Sequence, residues 1–250
     1  MTSSAIPPCN APIWANEMLE VAHIDAFYGP VQVLRDVSFT VNGGEIVGLM
    51  GRNGAGKTTL LRTIMGLITP RGGGIRLAGD ELTRLAAHRI PKLGAAYVPQ
   101  GRRLFNGMSV ADNLRMGLGV RNSGPRVLDE VLELLPILKE RLPQRAGTLS
   151  GGEQQMLAVA RALCTEPTLM LLDEPSEGLV PDIIDRLLDT IVAMKQRGVA
   201  VLLVEQRVKS ALKVCDRIIL MESGAIRHQA PVAELIADPL PLERYIGVHR

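Results

Sequence analysis

Hydrophobic residues in the first third of the chain follow two patterns, and both are typical of β-strands. Residues 37–41 alternate hydrophobic and polar side chains with a period of two and run into an Asn-Gly-Gly turn. Ile75 and Leu77 alternate with Arg and Ala neighbours before a Gly-Asp turn. Residues 46–50 form a short apolar run instead. Alternation predicts half-buried strands, whereas a short apolar run predicts a strand buried on both faces.

Three more apolar runs follow later in the chain, and helical patterns accompany them. The runs cover residues 169–172, 199–204 and 217–221. Helical spacing of hydrophobic residues covers 57–65, 151–163 and 183–196. Short apolar strands that alternate with helices are typical of a parallel sheet covered on both faces. We therefore expect an α/β core.

A helical pattern also occupies the middle of the chain. Ser109 followed by Asp112 is typical of a helix start, and residues 127–135 form an amphipathic segment. The pattern predicts a helical insertion near residues 101–160, joined to the core without a linker. Residues 1–17 contain three prolines and no hydrophobic periodicity, which predicts a flexible N-terminal tail.

Composition narrows the class of protein. Of the 250 residues, 46% are hydrophobic and 22% are charged, as in ordinary globular proteins. The net charge of +2 lacks the basic excess of nucleic-acid-binding proteins. The longest apolar runs fall far short of the ~20 residues that a membrane-spanning helix needs. Three widely spaced cysteines fit neither a disulfide framework nor a zinc site, which favours a reducing compartment.

The first candidate site is a glycine-rich loop between a predicted strand and a predicted helix. Residues 51–58 match G-x-x-x-x-G-K-[ST] in the structural context that this motif requires. Glycines let backbone N–H groups approach a phosphate chain, and the helix start adds partial positive charge. Lys57 would reach the β- and γ-phosphates, and Thr58 would ligate Mg²⁺. The residues expected to bind the nucleotide are Gly51, Asn53, Gly54, Ala55, Gly56, Lys57, Thr58 and Thr59.

Two acidic residues form the second candidate site. Asp173 and Glu174 follow the apolar run 169–172 and so lie at the end of a predicted parallel strand. Beside the glycine loop, Asp173 would hold Mg²⁺ through water, and Glu174 would orient or deprotonate an attacking water molecule. Taken alone, the pair is equally compatible with two solvated acids at the end of a strand.

The run Ser150-Gly151-Gly152-Glu153 precedes an amphipathic helix and suggests a third site. Ser150 with Glu153 is a capping box, which by itself needs no function. Each glycine in the first helical turn costs about 1 kcal/mol relative to alanine. Capping alone does not select two glycines, so we interpret the pair as a backbone that approaches an anion closely.

Together these motifs resemble those of a known family. Lys57, the run 150–153 and the pair Asp173-Glu174 occur in the order and spacing of ABC-type ATPase subunits. The resemblance covers residues 18–250 and implies a single ABC ATPase domain that binds ATP and Mg²⁺. It implies a RecA-like P-loop α/β core with an antiparallel β-subdomain, and a helical subdomain. The core would comprise residues 18–100 and 161–250, and the helical subdomain residues 101–160.

The same resemblance implies roles for further residues. Tyr28 matches the aromatic residue that stacks on adenine, although the sequence alone is equally compatible with a core tyrosine. Gln100 matches the glutamine that contacts Mg²⁺ and relays to a transmembrane partner. Glu174 matches the residue that activates water. In this family, one short run completes the ATP site of the facing subunit. The residues that match this run are Ser150, Gly151, Gly152 and Glu153.

Within the family, the chain looks most like the second ATPase of bacterial branched-chain amino acid importers. Residues 101–105, 145–157 and 204–206 carry this likeness. Urea and short-amide importers use a very similar subunit. The resemblance implies transmembrane permease subunits, a second ABC ATPase in a heterodimer and, indirectly, a periplasmic or extracellular solute-binding protein. It implies no nucleic acid, and a peripheral position on the cytoplasmic face of the inner membrane.

The segment after Gln100 is expected to face a permease. Arg102, Arg103 and Phe105 combine charged and apolar side chains that suit a partner groove. Together with the helical segment after Ser109, they would dock a short cytoplasmic helix of the permease. The alternative is a solvated loop.

Two positions depart from the general ABC pattern. Gln206 stands where most members have a histidine, and Val180 stands where an aspartate is common. Gln206 would be the catalytic residue that contacts the γ-phosphate, without the positive charge of a histidine. A weakly hydrolysing regulatory subunit is therefore an alternative. A DNA- or translation-associated ABC ATPase is another, but the chain has no long coiled-coil insertion, no duplicated half and no basic excess.

Overall fold

The computed structural model describes residues 17–247, and two β-sheets organise them. The strands of the first sheet are β1 (Glu17–Tyr28), β2 (Val31–Asn42), β4 (Gly72–Leu77) and β5 (Asp80–Glu81). They form an antiparallel sheet in the order β2-β1-β4-β5. Val21 of β1 pairs with Phe39 and Ile75 on either side, which buries three apolar side chains on one face. The predicted tail lies outside the described residues except for Glu17, where β1 begins.

The second sheet carries the core of the fold. Its strands are β3 (Ile46–Met50), β6 (Ala95–Val98), β7 (Leu169–Asp173), β8 (Ala200–Val204), β9 (Arg217–Glu222) and β10 (Ala225–Pro231). The order is β10-β9-β3-β8-β7-β6, and every pair is parallel except β9 with β10. Val204 of β8 pairs with Leu49 of β3 and with Asp173 of β7. The carboxyl ends of these three strands therefore meet at one edge.

Hydrophobic layers cover both faces of this second sheet. Along β3, Ile46 and Met50 face one hydrophobic core, whereas Val47 and Leu49 face the other. Helices α4 (Gly151–Leu163) and α5 (Pro181–Gln196) pack on the first face. Helix α1 (Lys57–Ile64) and the antiparallel sheet pack on the second. The predicted α/β fold with an antiparallel sheet is confirmed.

Helices fill the chain between β6 and β7. They are α2 (Val110–Leu118), α3 (Pro125–Leu134) and α4, with 3₁₀ turns at Pro136–Arg141 and Ala146–Thr148. The Ser109 hydroxyl accepts a hydrogen bond from the Asp112 amide, as the predicted helix start requires. Helix α4 crosses the expected boundary between residues 160 and 161, and its side chains share one hydrophobic core with β7. The division into subdomains stays a prediction.

Three short helices follow later in the chain: α6 (Val208–Val214), α7 (Val232–Ala237) and α8 (Leu240–Ile246). None of the helices between residues 17 and 247 combines the length and the hydrophobicity that crossing a membrane requires. The predicted helices and the four apolar strands begin and end within two residues of the observed ones.

Candidate functional site

Three adjacent strand ends bring the predicted motifs together. β3 leads into the glycine loop, β7 ends at Asp173, and β8 is followed by Glu205 and Gln206. Because β3, β8 and β7 are neighbours and parallel, these segments lie side by side at one edge of the sheet. Ligands of open parallel sheets bind beyond the carboxyl ends of the strands. The fold alone therefore makes this edge the candidate site.

The glycine loop follows a path that side chains would block. A Cβ at Gly51 would collide with the carbonyl oxygen of Met221. Gly56, directly before α1, has a φ of 105°, and a Cβ there would come within 3.0 Å of Leu34. The loop consequently wraps closely around the start of α1. The unpaired N–H groups of a helix start favour an anion.

Lys57 is buried beneath this loop. Its Nζ donates hydrogen bonds to the carbonyl oxygens of Gly51, at 2.8 Å, and Arg52, at 3.2 Å. Burial lowers the pKa of Lys57, whereas the nearby carboxylates of Glu174 and Asp173 raise it. The loop thus holds a positively charged group in place beneath its own backbone N–H groups, which suits a phosphate chain.

Both carboxylate oxygens of Asp173 accept hydrogen bonds. The Thr58 hydroxyl donates to Oδ1 at 3.1 Å, and the Tyr97 hydroxyl donates to Oδ2 at 3.0 Å. Asp173 is only 1% exposed. Burial raises the pKa of Asp173, and the two hydrogen bonds lower it. Burial also raises the pKa of Tyr97, which therefore remains a donor at neutral pH. The sequence did not indicate Tyr97, because a tyrosine within a strand belongs to no motif.

Glu174 belongs to a network of four polar side chains. Gln206 Nε2 donates to Glu174 Oε2 at 2.6 Å. Gln100 Nε2 donates to Glu177 Oε2 at 2.8 Å and lies 3.5 Å from Glu174 Oε2. Gln206 therefore contacts the acid of the predicted site directly. The sequence did not indicate Glu177, which lies in an exposed turn three residues beyond the acidic pair.

The backbone changes direction at Glu174, so that the side chains of Asp173 and Glu174 point to different groups. Glu174 has a φ of 50°, in the left-handed region that non-glycine residues rarely adopt. Its N–H donates to the carbonyl oxygen of Val204 at 2.9 Å. Asp173 consequently points toward Thr58, while Glu174 points toward Gln206. The two adjacent acids therefore face different groups.

Glu205 shapes the turn that carries Gln206. Only 2% of Glu205 is exposed. Its Oε1 accepts hydrogen bonds from the backbone N–H groups of Gln206, at 2.8 Å, and Arg207, at 3.0 Å. Within residues 17–247, Oε2 has no hydrogen-bond partner. An acid directly after a uniformly apolar strand is the sequence signal that would have found it.

Among the clefts at this edge of the sheet, two adjoin each other. The loop cleft is lined by Val33, Asn53, Gly54, Ala55, Gly56, Lys57, Thr58, Thr59, Gln100, Glu174, Glu177 and Gln206. The side cleft is lined by Tyr28, Thr58, Arg62, Leu67, Ile68, Tyr97, Pro99, Gln100, Arg103, Arg161 and Asp173. Thr58 and Gln100 line both. Tyr28 is 46% exposed, which argues against its being a core tyrosine.

Comparison with known proteins identifies the family. The family model for the ABC transporter matches residues 34–177. The chain belongs to the ABC transporter family. It is 46% identical to the high-affinity branched-chain amino acid transport ATP-binding protein BraG of Pseudomonas aeruginosa, over 92% of this chain and 100% of BraG. It is 36% identical to the probable branched-chain amino acid transport ATP-binding protein LivF of Archaeoglobus fulgidus, over 88% of this chain and 94% of LivF.

A solved structure of an ATP-binding subunit of an ABC transporter has the same fold. It matches with a TM-score of 0.80 and 30% identity, over 88% of this chain and 92% of the other. These findings confirm the resemblance and the fold class. The chain is an ABC-type ATPase, and the nucleotide that this family binds is ATP.

In this ABC ATPase, the run 150–153 lies outside the loop cleft and the side cleft of its own chain. Ser150 caps α4: its hydroxyl accepts from the Glu153 amide, and the Glu153 carboxylate accepts from the Ser150 amide. This backbone hydrogen bond lowers the pKa of Glu153. None of the four residues lines the loop cleft or the side cleft.

Packing within the chain explains one of the two glycines of the run 150–153. A Cβ at Gly152 would come within 2.9 Å of the Ile183 side chain. At Gly151 it would meet only the end of the flexible Arg102 side chain, at 3.0 Å. The sequence analysis interpreted both glycines as evidence for a backbone that approaches an anion, and this interpretation is too broad. Gly152 has a structural reason of its own, and the argument retains force for Gly151 alone.

Proposed function

We propose that this ABC ATPase powers an importer of branched-chain amino acids, as a peripheral subunit on the cytoplasmic face of the inner membrane. The proposal of ATP hydrolysis rests on one observation: Lys57, Asp173 and Glu174 lie close together at one edge of the sheet. The substrate class rests on similarity to BraG and LivF along most of each chain. ABC ATPase subunits work with transmembrane permease subunits, and these would form the import pathway.

In this proposal, the glycine loop binds the phosphates of ATP. The amides of residues 53–59 and the start of α1 surround the phosphate chain, and the Lys57 ammonium exchanges its loop carbonyls for phosphate oxygens. The half-exposed Tyr28 stacks on adenine from the side cleft. Thr58, which lines both clefts, lies between these two positions.

Thr58, Asp173 and Gln100 fit a Mg²⁺ ion. They offer hydroxyl, carboxylate and amide oxygens, the donors that this cation prefers. No group of three or more His, Cys, Asp or Glu side chains suited to a metal occurs among residues 17–247. A site with few protein ligands suits an ion that keeps water and phosphate ligands. Bound Mg²⁺ would neutralise charge on the β- and γ-phosphates.

Glu174 acts as the general base. Its carboxylate lines the loop cleft together with Lys57, where a water molecule can approach the γ-phosphate. The Gln206 amide donates to Oε2 and leaves Oε1 to accept a proton from that water. Glu205 holds the backbone from which the Gln206 side chain extends. We assign Gln206 this orienting role in addition to the predicted contact with the γ-phosphate.

A second ABC ATPase subunit completes each ATP site. The helix start at Ser150, Gly151, Gly152 and Glu153 lies outside the loop cleft and the side cleft of its own chain, which suits contact with ATP held by a facing subunit. Gln206, which carries no positive charge, supports a heterodimer whose other subunit contributes the faster site. The permeases would receive the solute from a periplasmic or extracellular binding protein.

An apolar groove supports a permease contact. It lies between the 3₁₀ segment Ala87–Leu93, α2 and α4. Its wall includes Leu67, Phe105 and Met116, each about half exposed. Arg161 of α4 donates to the Arg103 carbonyl at 2.8 Å and its guanidinium lies over the Phe105 ring. The groove suits a short amphipathic helix. Of the residues predicted to face a permease, Arg103 and Phe105 line this groove, whereas Arg102 does not and donates to Gln154 Oε1 at 3.0 Å.

Met116→Glu should weaken docking on the permease and so reduce uptake. The change puts a charge into the apolar groove, and an interface residue of this kind contributes about 1–2 kcal/mol, so uptake should fall about tenfold. The ATPase activity of the isolated chain should not change. Met116 is a cleaner probe than Arg103, since Arg103 also lines the side cleft.

Leu240→Glu is the matched control for Met116→Glu. Leu240 is an exposed leucine on α8 and does not line the groove. It should leave uptake unchanged. Full uptake by a folded Met116→Glu variant would remove this groove from the permease interface.

Uptake by the reconstituted transporter tests the proposed function itself. ATP-dependent uptake of leucine, isoleucine and valine, lost when this chain is omitted, is the expected result. Uptake of urea or short amides instead would identify the alternative importer class. Leucine uptake that continues unchanged with a non-hydrolysing chain would favour the regulatory subunit. Nucleic-acid binding without transport would favour a DNA- or translation-associated ATPase.

A further inference from the structure

Tyr97 stands between the ATP clefts and the apolar groove. It belongs to β6 and lines both the side cleft and the groove. Three other residues line both spaces: Leu67, Arg103 and Arg161. Among these four, Tyr97 is the one that hydrogen-bonds Asp173. One side chain therefore joins the apolar groove to the Asp173 carboxylate.

The two hydrogen bonds of Asp173 leave its carboxylate a single orientation. The Thr58 hydroxyl donates to Oδ1, and the Tyr97 hydroxyl donates to Oδ2. Asp173 is 1% exposed, so both hydrogen bonds lie in a largely buried setting. A buried oxygen that loses its partner carries a desolvation penalty. Rotation of the carboxylate away from Thr58 would therefore also disturb the hydrogen bond from Tyr97.

We propose that Tyr97 is a positioning residue that orients Asp173 toward Mg²⁺ and links that orientation to occupation of the apolar groove. A permease helix in the groove packs against residues that include Tyr97, and any displacement of this phenol moves its hydroxyl relative to Asp173. The link to the groove rests on the proposed function. The positioning of Asp173 does not, since it follows from contacts within the chain.

Tyr97→Phe isolates the hydroxyl, because the ring stays to fill its place. Mn²⁺ serves as the probe: its binding to the full chain with a non-hydrolysable ATP analogue is followed by the electron paramagnetic resonance signal of the free ion. Mn²⁺ should bind about three- to tenfold more weakly, which corresponds to the net contribution of one typical intramolecular hydrogen bond. Binding of the analogue without divalent cations should not change.

Tyr245→Phe is the matched control. It removes a phenol hydroxyl from α8, and Tyr245 lines neither the side cleft nor the groove. Its Mn²⁺ affinity should equal that of the parent. An unchanged Mn²⁺ affinity in Tyr97→Phe, with parental melting temperature, overturns the positioning role.

A second measurement tests the link to the groove. The Mg²⁺ concentration for half-maximal ATPase activity is compared between the isolated chain and the assembled transporter. Assembly should shift it in the parent and not in Tyr97→Phe. The same shift in both overturns the link. Failure of the parent to assemble with permeases contradicts the proposed function and the link, while the Mn²⁺ result still decides the positioning role.

Discussion

Glu174→Gln should bind ATP and almost stop hydrolysing it. A glutamine keeps the size of the side chain and its hydrogen bonding to Gln206, but it cannot take a proton from water. Loss of a general base lowers the rate by roughly 10²–10⁴-fold. Phosphate release measures turnover, and size-exclusion chromatography with ATP should show a closed dimer that accumulates.

Glu177→Gln is the matched control for this result. It removes one carboxylate from the same network, since Gln100 donates to both acids. Glu177 lies in an exposed turn, so most of the turnover should remain. Parental hydrolysis by Glu174→Gln, or an equal loss in both variants, would contradict the assignment of Glu174 as the base.

Lys57→Ala should fail at the earlier step, the binding of ATP. The variant removes the ammonium that the loop holds at Gly51 and Arg52. Hydrogen bonds to charged groups contribute about 1.5–3 kcal/mol, so ATP affinity should fall about 10- to 150-fold. Equilibrium titration with a fluorescent ATP analogue measures the change. Lys213→Ala, which removes an exposed lysine paired with Asp185, should bind ATP normally.

The effect of Lys57→Ala can also be measured in the assembled transporter. If Gln206 makes this half-site the slower one, Lys57→Ala should reduce transport less than the equivalent substitution in the partner ATPase. Charge-assisted hydrogen bonds are roughly twice as strong as neutral ones, and a glutamine amide supplies only the neutral kind. Equal losses from the two substitutions, or a transporter that contains this ATPase alone, would contradict the asymmetric heterodimer.

The sequence by itself determined the four apolar strands of the core, the longer helices and the strand ends at which the candidate residues lie. Uniformly apolar runs such as 46–50 and 169–172 predict strands buried on both faces, because a parallel sheet covered by helices leaves no polar face. Residues 51–58 indicate phosphate binding, because glycines and a helix start determine that chemistry locally. Asp173 follows a parallel strand, and its position near the loop follows from the sheet.

Only the tertiary structure decided which side chains touch at that edge. Periodicity says which face of a strand is buried, but it does not say which residue distant in the chain lies opposite. The hydrogen bonds from Tyr97 to Asp173 and from Gln206 to Glu174 join residues 76 and 32 positions apart. The packing of Gly152 against Ile183 likewise depends on how α4 meets α5. Such contacts are determined by the geometry of packed strands and helices, which no local pattern encodes.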